Sequence, residues 1–354
     1  MAGEASMITK RLISMLTLLG LLTSSLPASA QQGSLEASLW QDYKSRFLDA
    51  SGRIVDNANG GISHSEGQGY GLLLAFYANS QSDFEQIWSF TKTELMIRDD
   101  GLAAWKWDPD AQPHVTDINN ASDGDLLIAY ALAMAGAAWE RQDYLVGAAS
   151  LAQSILDNVV VERGGRMLLL PAAEGFDADE RPDGPVINPS YWIFESFQVM
   201  AILAPSDRWA KLEEDGIALL QMMAFGPRRL PAEWVSLAQQ PKPAEGFAAE
   251  FGYNAIRIPL YLLRATDEQR ELVKRLLEGM TIAGAPAIVD LSSGEAKERL
   301  EDPGYQFVNH ILACVSEGKT VPGAARELTS EFYYPATLHL LGLAYIVEKH
   351  PSCL

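Results

Sequence analysis

An all-α, single-domain fold is predicted by three features of the 354-residue chain. Apolar residues recur at three and four spacing along most of its length. Ser, Asp or Asn stands in the N-cap position before several of these stretches. After Gln31 no low-complexity run, fixed-period repeat or linker divides the chain. With 48% hydrophobic residues it has enough apolar surface for a large core.

The elements follow in order. "KRLISMLTLLGLLTSSLPASA" combines the basic pair Lys10 and Arg11, an apolar run from Leu12 to Leu26 and the small-residue ending Ala28-Ser29-Ala30. Residues 1–30 therefore read as a signal peptide cleaved near Ala30, which predicts a periplasmic or secreted protein with a mature domain of residues 31–354. Glu4 is out of place in a basic signal start and points to Met7 as the true initiator. In the first half, helical periodicity marks 34–49, 67–80, 82–95, 122–140 and 142–162. The second half repeats it at 189–203, 207–223, 254–265, 267–280 and 330–350. "GGRMLLLPA" (164–172) reads as a strand or hairpin. Some links are very short, such as that at Gln81, whereas 97–118 and 224–250 are long and rich in Gly and Pro, as loops that carry binding groups tend to be. Ten to twelve helices result, and a layered barrel of helical hairpins and an irregular helical array both satisfy the pattern.

Charge narrows the partners. With 27 basic and 46 acidic side chains the formal net charge is −19, which disfavours nucleic acid, anionic lipid and polyanionic substrates. No stretch of the mature chain has the length of a membrane anchor. The two cysteines, Cys314 and Cys353, permit one disulfide after export. Five scattered histidines lack the short spacings of metal ligation, so neither metal nor other cofactor is expected.

Three polar clusters interrupt the apolar helices, each at a predicted helix N-terminus. The first, "ISHSEGQGYGLLLAF" (62–76), holds Glu66 and Tyr70; a helix cap by Ser65 with Glu66 on the dipole would explain it equally well. The second, "NNASDGDLLIAYAL" (119–132), holds Asp123 and Asp125, more carboxylate than capping requires at a start expected to be buried. The third, "PAEGFAAEFGYNAIRIPLYLL" (243–263), holds Glu245, Glu250, Asn254 and Arg257, the last two spaced to share one helix side. Aromatics attend all three: Trp105 and Trp107, Tyr191, and Tyr333 with Tyr334. Rings beside carboxylates and amides suit a cleft in which sugar faces stack and sugar hydroxyls are bonded.

Taken together, "SEGQGYG", "NASDGDLLIAYALAMAGAAW", "NPSYW" and "FGYNAIRIPLYL" resemble glycoside hydrolase family 8, in particular the exported endo-β-1,4-glucanases associated with bacterial cellulose synthesis. The resemblance runs in order from about Leu35 to Tyr345. It implies an (α/α)6 barrel of six inner and six outer helices with a substrate cleft across one end. It also implies inverting hydrolysis, in which one carboxylic acid protonates the leaving oxygen and a carboxylate activates water. By motif, Glu66 matches the acid and Asp123 a carboxylate that holds the sugar and keeps Glu66 protonated. The base position, usually aspartate, is Asn254, supported by Arg257. An amide cannot take a proton from water, so either the base has moved, with Glu250 and Glu245 as candidates, or Asn254 orients water in a slow reaction, or the protein binds glucan without cutting it. Tyr70, Trp105, Trp107, Tyr191 and Tyr333 are the expected sugar-binding rings. The implied partners are cellulose and components of the cellulose synthase complex; chitosan and xylan are the alternative polymers.

Overall fold

The computed structural model describes residues 33–354; the reading of residues 1–30 as a signal peptide lies outside the described residues. Eleven α-helices run through the described chain: α1 (Ala37–Phe47), α2 (Ser65–Tyr77), α3 (Gln81–Phe90), α4 (Ser122–Ala138), α5 (Gln142–Asn158), α6 (Phe194–Leu203), α7 (Asp207–Met222), α8 (Ile258–Ala265), α9 (Arg270–Met280), α10 (Pro303–Glu317) and α11 (Tyr333–Lys349). Helices α2, α4 and α11 are buried around almost their whole circumference, as the lack of a polar face in their sequences demands. They belong to a closed inner ring in which α2 packs on α4, α4 on α6, α6 on α8, α8 on α10, α10 on α11, and α11 on α2. Amphipathic helices cover it: α1 lies on α11, α3 on α2, α5 on α4, α7 on α6, and α9 on α8 and α10. Between α10 and α11 the chain makes only a short 3-10 turn, Gly323–Arg326, so among the described residues the outer layer has five α-helices rather than six.

Several boundaries differ from the expected ones for local reasons. The stretch 142–162 leaves the helix after Asn158, and the β-branched "VVV" enters β3 (Val160–Arg163), paired antiparallel with β4 (Arg166–Leu169). Helix α10 lies outside the stretches whose periodicity predicted helix; its start is fixed by Asp302, whose carboxylate accepts from Gly304 N, with Pro303 in the first turn. It ends at Gly318, whose φ of 73° only glycine adopts easily. A disulfide joins Cys314 on α10 to Cys353 in the C-terminal 3-10 turn.

The long loops form small sheets. Strand β1 (Ser63–His64) pairs with β2 (Lys106–Trp107), strapping the 97–118 loop to the start of α2. After α7, β6 (Val235–Ser236) lies between β5 (Val186–Ile187) and β7 (Lys242–Pro243), while β8 (Glu250–Phe251) pairs with β10 (Ala285–Asp290). Strand β10 also pairs with β9 (Thr281–Ile282) and β11 (Ala296–Arg299).

Candidate active site

Two glycines bring two carboxylates together. A Cβ on Gly69 of α2 would lie 2.5 Å from Leu127 Cβ, and one on Gly124 of α4 would lie 2.1 Å from Ser65 Oγ. The N-terminal turns of α2 and α4 therefore touch at a separation that a side chain would prevent, and Glu66 and Asp123 meet there. His64 caps α2, its Nδ1 accepting from Gly67 N, while its Nε2 faces Asp56 Oδ2 at 3.4 Å.

Arg257, fully buried, holds both carboxylates. Its Nη1 donates to Glu66 Oε2 and its Nη2 to Asp123 Oδ2, each at 2.6 Å. The remaining donors are aimed as carefully: Nε bonds Ser190 O at 3.0 Å and Nη1 also reaches Tyr70 OH at 3.2 Å. Ser190 is in place because Asn188 Oδ1 accepts from Ser190 N in the turn Pro189–Tyr191, which accounts for "NPSYW". Arg257 itself stands on a 3-10 turn, Asn254–Arg257, that leads into α8. The expectation that Arg257 supports Asn254 is thus corrected: its side-chain partners are Glu66, Asp123, Tyr70 and Ser190.

The two carboxyls differ in proton affinity. For Glu66 burial raises it, but the Arg257 guanidinium and His64 outweigh burial and hold the carboxyl below the usual range. For Asp123, 1% exposed, burial dominates and pushes it up to about 6 against the pull of Arg257. The expectation that Asp123 keeps Glu66 protonated is reversed in the free protein, where Asp123 has the greater claim on the proton. Nearby, burial pushes Asp125 up to about 7 despite donors from Ala103 N and Asn120 Nδ2, both at 2.8 Å.

Asn254 has a different partner, one that the motifs do not contain. Its Nδ2 donates to Glu233 Oε1 at 2.7 Å. Glu233 sits in the loop between α7 and α8, its backbone N–H bonded to Glu250 O. Burial raises its proton affinity and the Asn254 bond lowers it, for a net rise.

Glu66, Asp123, Asn254, Trp105, Tyr191 and Tyr333 line one cleft of about 470 Å³, joined by Asp56, His64, Tyr253 and Tyr334. Trp105 is anchored by its Nε1 on Asp117 at 2.8 Å. The Tyr333 and Tyr334 hydroxyls are buried and bonded to no protein group, unusual for buried polar atoms and suited to sugar hydroxyls. Four expected site residues lie elsewhere. Tyr70 is wholly buried beneath Arg257, bonded to Tyr261. Trp107 is packed between Phe90 and His114, with Arg53 over its ring. Glu250 of β8 is paired with Lys297 of β11, and Glu245 is exposed and bonded to Lys242 at 3.0 Å. Neither glutamate borders the cleft.

Comparison with known proteins agrees on one family. The model of glycosyl hydrolases family 8 matches residues 12–348. A probable endoglucanase of Novacetimonas hansenii is 35% identical over 313 residues, covering 86% of this chain and 89% of its own. The crystal structure of endoglucanase Cel10 from Klebsiella pneumoniae, a family 8 glycosyl hydrolase, has a TM-score of 0.80 at 33% identity and covers 88% of this chain and 100% of that one. The endo-beta-1,4-glucanase CMCax from Acetobacter xylinum has a TM-score of 0.77 at 34% identity, covering 87% and 97%.

Proposed function

The chain belongs to glycosyl hydrolases family 8, and we infer that it is an endo-β-1,4-glucanase of the inverting kind on an (α/α)6 barrel. The observation that carries this is the pair Glu66 and Asp123, locked by one buried arginine beside an aromatic cleft. Glu66 protonates the leaving glycosidic oxygen. Asp123, the more deeply buried of the two, shares the proton of the pair and holds the sugar at the cleavage point; below about pH 6 that proton is available to Glu66 when a glycosidic oxygen arrives. Trp105 and Tyr191 offer ring faces to sugars, and the Tyr333 and Tyr334 hydroxyls bond their edges.

The substrate is cellulose or a related β-1,4-glucan in accessible form. The signal-like first 30 residues support work in the periplasm or outside the cell, and the family resemblance supports a role beside a cellulose synthase. Reducing-end release from carboxymethyl cellulose tests the reading, with NMR of the new anomeric centres. Release of α-configured ends, abolished in Glu66→Gln, is the expected result. Binding without release would make the protein a glucan-binding module, and cleavage confined to chitosan or xylan would change the substrate.

A further inference from the structure

Inverting hydrolysis requires a carboxylate that takes a proton from the attacking water, and position 254 holds an amide. We propose that Glu233 is that base, accepting the proton of a water that Asn254 orients. The proposal rests on the hydrolase reading above and names the residue that reading lacks.

Four observations lead to Glu233. A carboxylate only accepts hydrogen bonds, so the bond from Asn254 Nδ2 to Glu233 Oε1 fixes the amide's orientation and leaves its carbonyl oxygen as the free end. Asn254 lines the cleft, and Glu233, which is not among the residues that border it, stands 2.7 Å behind that amide. Room for the second carboxylate oxygen is provided by Gly252, where a Cβ would lie 1.5 Å from Glu233 Oε2. The segment is held firmly although it belongs to a loop. Glu233 N is bonded to Glu250 O, and the adjacent Trp234 is stacked between Phe176 and Phe247 with its edge toward Tyr191 of the cleft.

The other carboxylates are committed elsewhere. Asp56 lines the cleft but accepts from Ala58 N and faces His64, the cap of α2. Glu250 is neutralised by Lys297, whereas Glu233 has no cation at ion-pair distance among the described residues. Burial without a cation gives it the higher proton affinity a base working near neutral pH needs.

The step balances. The water oxygen bonds to the anomeric carbon as the carbon–oxygen bond to the leaving sugar breaks. The proton of Glu66 goes to the leaving oxygen, one proton of water goes to Glu233, and solvent exchange restores both groups.

The experiment compares wild type, Glu66→Gln, Glu233→Gln, Asp56→Asn, Gly252→Ala and Glu233→Gln with Asn254→Asp on soluble β-1,4-glucan, with and without azide. Azide attacks without losing a proton and so replaces an activated water. Glu233→Gln is expected to lower kcat by about 10²–10⁴-fold with KM within about threefold of wild type. Azide should then restore turnover and leave an oligosaccharyl azide of inverted configuration, and Asn254→Asp in the same chain should restore hydrolysis. Gly252→Ala, which drives a methyl into the place of Oε2, should lower kcat in the same direction. Glu233→Gln within about threefold of wild type, beside an inactive Glu66→Gln, would overturn the proposal and leave the hydrolase reading intact. Loss of kcat that neither azide nor Asn254→Asp relieves, or azide rescue of Asp56→Asn instead, would also overturn it. A wild type that releases no reducing ends from any glucan overturns both.

Discussion

Glu66 borders the cleft and Glu233 stands behind its Asn254, and the two carboxylates are built from different materials. Glu66 stands in the first turn of α2, where interhelical contact, a histidine cap and a buried guanidinium fix it from three sides. Glu233 stands in a long loop, positioned by one backbone bond, one amide and the space over a glycine. Their proton affinities diverge accordingly: Arg257 holds Glu66 low, while burial without a cation raises Glu233. The group assigned to give a proton is the stronger acid in the free protein, and the group assigned to take one is the stronger base. Catalytic roles here follow from position in the cleft, and the proton for Glu66 must come through its partnership with Asp123.

The helix-borne half should be the more fragile. Arg257→Met leaves Glu66 and Asp123 buried without their cation, and removal of one partner from such a cluster costs about 3–5 kcal/mol. Urea unfolding should show a loss of that size together with loss of activity; an unchanged midpoint would mean that the cluster is hydrated and loosely held. Glu66→Gln comes next. It should lower kcat by about 10²–10⁴-fold but cost far less stability, because Arg257 keeps Asp123, Tyr70 and the Ser190 carbonyl. Equal losses of stability in the two variants would remove the distinction between holding the site and performing the chemistry.

A smaller effect tests the loop-borne half. Asn254→Asp would place a second carboxyl 2.7 Å from Glu233, and two carboxyls so close cannot both ionise readily. The pair then retains a proton to higher pH, so the acidic limb of the kcat/KM profile should move upward in pH relative to wild type. A limb that stays in place would show that residue 254 and the base do not touch.

The same division separates what was legible in the sequence from what was not. Helices α2, α4 and α11 announce themselves because burial on all sides leaves an apolar run with no competing pattern, and their polar first turns stand out against it. Glu66, Asp123, Asn254 and Arg257 were visible for that reason. Tyr70 was visible but misplaced: four residues along from Glu66 it shares that helix side, and only packing shows that the ring points beneath Arg257. Trp107 was misplaced because residues two apart share a face only within a strand, and β2 begins at Lys106: Trp105 lies outside it on Asp117, while Trp107 turns to Phe90 and His114. Glu233 left no signal. It follows "LPA" in a loop without periodicity, and its nearness to Asn254, 21 residues on, depends on the backbone bond between Glu233 and Glu250. The acidic residues nearer in sequence, Glu245 and Glu250, drew attention for proximity alone and are taken by lysines.

The smallest effect concerns the cost of crowding carboxylates at the start of α4. Asp125 is fully buried, and its pKa of about 7 in the folded protein exceeds the ordinary value of about 3.9 expected when unfolded. Between those limits the folded state binds a proton that the unfolded state has released, so ∂ΔG/∂pH is negative. The stabilisation that Asp125 contributes is complete below about pH 4, declines as pH rises, and is gone above its folded pKa. Asp125→Asn removes this titration but turns an amide toward the Nδ2 of Asn120, a mismatch worth about 1–3 kcal/mol. At pH 4 the variant should therefore be clearly less stable than wild type, and the gap should narrow between pH 4 and pH 8 as the wild-type carboxyl ionises. Unfolding curves across that range decide it. A constant gap would mean that Ala103 N and Asn120 Nδ2 stabilise the carboxylate as fully as water does, and that the helix-borne half of the site carries its charges without penalty.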